Sequence, residues 1–122
     1  MTRWLQTALR KHLEHYRDEA KIMGVIEQVS RYDDHVAAVR SARGERHREQ
    51  IEKSIRGMQR RGIADPTLDP KIAAAALGSM VERFAEMALA QDQLNCKLDD
   101  AADTLASLFV NALQMKVKRP RT

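Results

Sequence analysis

The sequence predicts an all-α fold of about five helices packed as an orthogonal-to-antiparallel bundle, and three observations carry that prediction. Aliphatic residues and alanine supply most of the 43% hydrophobic content, while aromatics make up 4%. The β-branched and aromatic residues that suit strands are therefore scarce. Apolar residues recur at spacings of three and four, the helical period. Five glycines and three prolines leave few turns, and so a handful of long elements. At 122 residues the chain reads as a single domain over residues 1–122, large enough for a real core.

The first helix, over residues 2–16, places Trp4, Leu5, Ala8, Leu9, His12, Leu13 and Tyr16 on one face, with Arg3, Gln6, Arg10, Lys11 and Glu14 outside. Asp18 is placed to cap a second helix, in which Ile22, Met23, Val25, Ile26 and Val29 are apolar. "RYDDH" interrupts that pattern, and Asp33 is a good N-cap for a third helix from about Asp34 to about Arg61. Its apolar line is thin: Val36, Ala37, Gly44, His47, Ile51, Ile55, Met58. The last three read as core. Gly44 and His47 continue the stripe with little volume or a polar ring, a weakening that means either exposure or the border of a cavity. Gly62 is expected to close the helix.

"ADPTLDP" is a turn with a restart built in. Asp69 can cap a fourth helix, and Pro70 fits the first helical position, where its missing N–H costs nothing. From Ile72 to Ala90 only Ser79, Glu82, Arg83 and Glu86 form a polar stripe. So narrow a stripe predicts burial on two sides, one against the core and one against something else. After the loop "QDQLNCKLDD", Asp99 or Asp100 is expected to cap a fifth helix that is apolar over most of its circumference. Two such helices predict a subunit interface, built from Ala73, Ala74, Leu77, Gly78 and Val81 with Ala102, Leu105, Phe109, Ala112 and Leu113.

The formal charge of +4 and a pI near 9.5 invite a nucleic-acid reading. However, the basic residues between Arg40 and Arg61 alternate with Glu45, Glu49 and Glu52 and lack aromatics for base stacking, as on a solvated helix face. The tail "KVKRPRT", residues 116–122, is expected to fray. No apolar run approaches the 18 residues of a membrane span, and one cysteine, Cys96, fits a reducing cytoplasm.

The segments "GIADPTLDPKIAAAALGSMVERFAEMAL" and "LDDAADTLASLFVNAL", preceded by "LRKHLEHYRDEAKIMGVIEQVSRYDDHV", resemble in order the C-terminal part of a TetR-family transcriptional regulator. The resemblance spans roughly residues 3–115. It implies a domain that dimerises through its last two helices as a four-helix bundle and encloses a small-molecule pocket with the earlier ones. It also implies a relay, in which an effector shifts the first and third helices to move DNA-reading domains. Family members begin with a helix-turn-helix unit marked by a G-V-S/T turn and a "YYHF"-like stretch. No such pattern occurs in this sequence, so the expectation is a regulator's sensing half without its DNA reader.

The titratable residues assemble no catalytic site. His12 and His15 stand at i, i+3, a spacing two metal ligands can use, but they read as structural histidines, and no metal or cofactor is expected. Cys96 reads as an incidental thiol, without a second cysteine to resolve a sulfenate. Asp33/Asp34 and Asp99/Asp100 read as helix caps rather than as acid–base pairs. Binding is the chemistry the residues support: a hydrophobic small molecule against Trp4, Leu5, Ala8, Leu9, Met23, Ile26, His47, Ile51, Ile55, Met58, Phe84, Met87 and Ala88. The expected assembly is a homodimer. Alternatives are a module that pairs with full-length regulators of the same family and a basic helical protein that binds DNA without sequence preference.

Overall fold

Every element of the computed structural model, which describes residues 3–90 and 93–116, is helical. The order is α1 (Arg3–Asp18), α2 (Ala20–Ser30), α3 (Asp34–Arg60), α4 (Pro70–Ala85), a π-helical turn (Glu86–Ala90) and α5 (Leu98–Ala112). Residues 117–122 of the predicted basic tail, and residues 91–92 of the predicted loop before α5, lie outside the described residues. No helix among the described residues is long and apolar enough to cross a membrane.

Two helix starts follow their predicted chemistry. The Asp33 side chain accepts hydrogen bonds from the His35 and Val36 N–H groups, and Asp69 accepts from Lys71 and Ile72. Each satisfies donors that the first helical turn leaves unpaired. Asp69→Ala is expected to cost about 1 kcal/mol in a urea titration; an unchanged midpoint would mean that Pro70 alone sets the start of α4. Two other predicted caps are corrected. Asp18 does not cap α2, because α1 runs through Asp18 and the backbone ladder crosses the junction: the Glu19 N–H donates to His15 at 3.1 Å and the Met23 N–H to Glu19 at 2.9 Å. At α5 the cap position falls on Lys97, with no side-chain bond. Asp99 and Asp100 sit inside the first turn, where their charge still favours the helix dipole, and Asp99 pairs with Arg10 at 3.0 Å.

The helices pack mainly as two antiparallel pairs. In the first, α1 lies on α5, with Gln6 hydrogen-bonded to Asp103 and Arg10 paired to Asp99 along the seam. In the second, α3 turns back through residues 61–69 onto α4. Gly62, at φ +72°, supplies the left-handed residue this reversal needs. Gln59 holds the loop closed, its amide donating to the carbonyls of Asp65 and Leu68 at 3.0 and 2.9 Å. The loop is also tied to the C-terminal end of α5, through the Asp65 N–H to Leu113 and the Lys116 N–H to Ile63, both at 2.9 Å.

Between the pairs lies one core. Leu5, Leu9 and Leu13, four residues apart on α1, meet Ile55 and Met58 of α3, Ala74, Leu77, Val81 and Ala85 of α4, and Ala102, Leu105, Ala106 and Phe109 of α5. Small residues let the helices approach closely. At Gly78 an added Cβ would stand 3.3 Å from Ile51 Cδ1. By contrast, α2 buries none of its residues, although most of them are apolar. The fourth helix does not stay α-helical to Ala90 as its pattern suggested; it widens into the π turn at Glu86, a distortion that often accompanies functional sites.

Candidate functional site

Beside α2, which packs on α3 and the π turn without burying any residue, a cleft of about 1280 Å³ opens between α1, α2, α3 and α4. Its apolar wall comes from α2 and the start of α3, with Met23, Ile26, Val36, Ala37 and Val39. The opposite wall is polar and comes from α4 and the π turn: Ser79, Glu82, Arg83 and Glu86. His12, His15 and Tyr16 enter from α1, and Arg40, Gly44 and His47 from α3. A second hollow of about 650 Å³ lies along α2, bounded by Ala20, Gly24, Val25 and Gln28. Tyr16, Glu27, Arg31 and Glu86 border both.

The electrostatics of the cleft centre on Glu82. Its carboxylate lies 3.6 Å from His12 Nε2, long for a hydrogen bond and an ion pair only when that imidazole is protonated. His12 holds the Glu82 carboxyl below the usual carboxylate range, against the opposing pull of burial. The His12 and His47 rings stack with centroids 5.1 Å apart and planes 11° from parallel. Burial, and then the neighbouring His12, push His47 below the ordinary histidine range. Tyr16 is raised by burial and by the negative charges of Glu86, Glu82 and Glu27. An uncharged, hydrogen-bonding phenol therefore faces the cavity at neutral pH.

Of the residues proposed from sequence for ligand contact, Met23, Ile26 and His47 line this cleft. Leu5, Leu9, Ile55, Met58 and Ala88 are buried in the protein interior. Ile51 and Phe84 pack on the core, and Met87 is half-buried. Trp4 and Ala8 face outward. Among the proposed interface residues, Ala74, Leu77, Gly78, Val81, Ala102, Leu105, Phe109 and Leu113 are buried within the single chain, Ala73 is partly buried and Ala112 is exposed. Gly78 also borders the cleft.

Sequence reading missed most of the polar wall, because Ser79, Glu82, Arg83 and Glu86 look the same whether their stripe meets water or a cavity. Of the two readings of the weak α3 stripe at Gly44 and His47, the border of a cavity matches their place on the cleft wall. Comparison with known families matches residues 5–114 to the one described as "Transcriptional regulator EthR, C-terminal domain". A comparison with curated proteins finds no match.

Proposed function

The chain belongs to the family of EthR-type transcriptional-regulator C-terminal domains, the ligand-binding and dimerisation part of TetR-family regulators, and on that premise we propose that it senses a hydrophobic small molecule bearing a polar group. The observation that carries the proposal is α2. A helix this apolar buries none of its own side chains, yet two of its apolar residues, Met23 and Ile26, line a 1280 Å³ cleft. An apolar body seated there completes the burial that the protein alone leaves undone, at about 25 cal/mol for each Å² removed from water. The opposite wall fixes orientation: Tyr16, Arg40 and Arg83 can meet an acceptor, while Ser79 and Glu82 can meet a donor.

The effector acts by pulling α2 toward the bundle, which moves the N-terminal half of α3. In a regulator, that displacement is what reaches the DNA-reading part. A ligand shifts such an equilibrium only by its difference in affinity for the two positions of α2.

The test fills the cleft from α3. An added Cβ at Gly44 would meet only the mobile end of the Arg48 side chain, at 3.3 Å, so Gly44→Trp can place its ring in the cavity. The wild-type chain is expected to take up 1-anilinonaphthalene-8-sulfonate, an apolar body with an anionic group, saturably and once per chain in calorimetry. Gly44→Trp is expected to weaken that uptake at least tenfold, about 1.4 kcal/mol, while raising the melting temperature. Uptake that fails to saturate, or that ignores the tryptophan, would overturn the assignment.

A further inference from the structure

Three side chains from three helices, His12 of α1, His47 of α3 and Glu82 of α4, bring donor atoms within 4.8 Å of one another on the cleft wall. We propose that they form a binding site for one borderline divalent transition-metal ion, of the class of Zn²⁺ or Co²⁺, whose remaining coordination positions open onto the cleft. Two imidazoles and one carboxylate are the donor set such ions prefer, with three protein ligands and an open position typical of a site that takes water or a further ligand.

The distances suit an ion better than they suit the protein alone. Bonds of about 2.0–2.2 Å at tetrahedral angles place two ligands of one ion roughly 3.3–3.6 Å apart. His12 Nε2 and Glu82 Oε1, at 3.6 Å, already fall in that range. The same nitrogen is shielded from solvent and has no hydrogen-bond partner, a state that costs free energy unless something completes it. His47 needs the larger adjustment, since its ring stacks on His12 and must turn to aim a nitrogen at a shared centre. Among the described residues no hydrogen bond holds the His47 imidazole in its present rotamer, and the outer χ angle of histidine is broad and soft. Glu82 is half-exposed and can follow the ion. Ligands drawn from α1, α3 and α4 would clamp the inner wall of the cleft while leaving α2 free.

This inference does not depend on an effector occupying the apolar part of the cleft, so the two readings fail separately. The test is a titration of the full-length, tag-free chain, stripped with a chelator, with Co²⁺ and with Zn²⁺. The expected result is one Co²⁺ per chain with visible d–d bands, and Zn²⁺-induced shifts of the ring ¹⁵N signals of His12 and His47. His47→Gln and Glu82→Gln should each weaken Co²⁺ binding at least about a hundredfold, since even outer-shell changes at metal sites cost about 10–100-fold. His15→Gln, in the same cleft but outside the triad, should leave binding unchanged. No uptake at millimolar Co²⁺, uptake indifferent to either triad substitution, or ¹⁵N shifts confined to His15 and His35 would each overturn the proposal. Should a substituted chain fail to fold, the wild-type ¹⁵N signals decide alone.

Discussion

Leu13→Ala is expected to lower the unfolding free energy by about 2–5 kcal/mol, the range for emptying a leucine site in a packed core. Leu13 is 0% exposed and stands where α1 meets the core residues of α3, α4 and α5. Removing its branched end leaves a void lined by core residues of α3, α4 and α5, and closing it would require α1 to give up its packing on α5. Single domains have only about 5–15 kcal/mol in total, so the variant should unfold at a much lower urea concentration, with an unchanged slope. A loss below about 1 kcal/mol, outside the range for such sites, would show that α1 repacks and that the core is looser than its burial implies.

Phe109→Arg is expected to prevent folding, whereas Leu108→Arg should leave a folded chain and weaken only its self-association. The two residues are neighbours with opposite fates. Phe109 is 7% exposed and belongs to the core of its own chain, while Leu108 is 46% exposed on the outer face of α5. An arginine at 109 would bury a charge with no carboxylate among the core residues to pair it, a cost of several kcal/mol on top of the lost ring. At 108 the same charge stays in water unless a second copy covers it. The homodimer expected from the sequence would find exposed apolar residues for that contact in Leu108 and in Ile72 of α4, 67% exposed. Circular dichroism separates the folded variant from the unfolded one, and light scattering reads the association state. Leu108→Arg remaining dimeric at micromolar concentration would exclude this face of α5 from the interface; Phe109→Arg folding normally would contradict its place in the core.

The starts of α3 and α4, the reversal at Gly62, and the Leu5, Leu9, Leu13 and Ile55, Met58 core lines of α1 and α3 were legible because they follow from local rules. Asp33, Asp69, Pro70 and Gly62 act on backbone within a few residues of themselves, so their roles show in the chain order. Asp18, Asp99 and Asp100 misled for the same reason in reverse. A good capping residue takes the cap only if the helix begins there: local backbone hydrogen bonds carry the helical ladder through Asp18, and Asp99 lies inside the first turn of α5, paired with Arg10 of α1.

Periodicity also states how much of a helix is apolar without stating what covers it. The excess apolar surface of α4 and α5 suggested a second subunit, but much of it is taken up by α3 and α1 of the same chain. The polar line of α4 suggested water, and Ser79, Glu82 and Arg83 are exposed, but the same line also forms one wall of an open cleft.

Composition and spacing thus fixed that the chain is helical, where most of its helices start and stop, and which face of each is apolar, because these depend on propensity, capping and a period of 3.6 residues. The pairing of α1 with α5 and α3 with α4, the hollow under α2, and the meeting of His12, His47 and Glu82 depend on which apolar faces choose one another. That choice is made by shape and volume across 35 to 70 positions of sequence separation between those three residues, and no local pattern carries it.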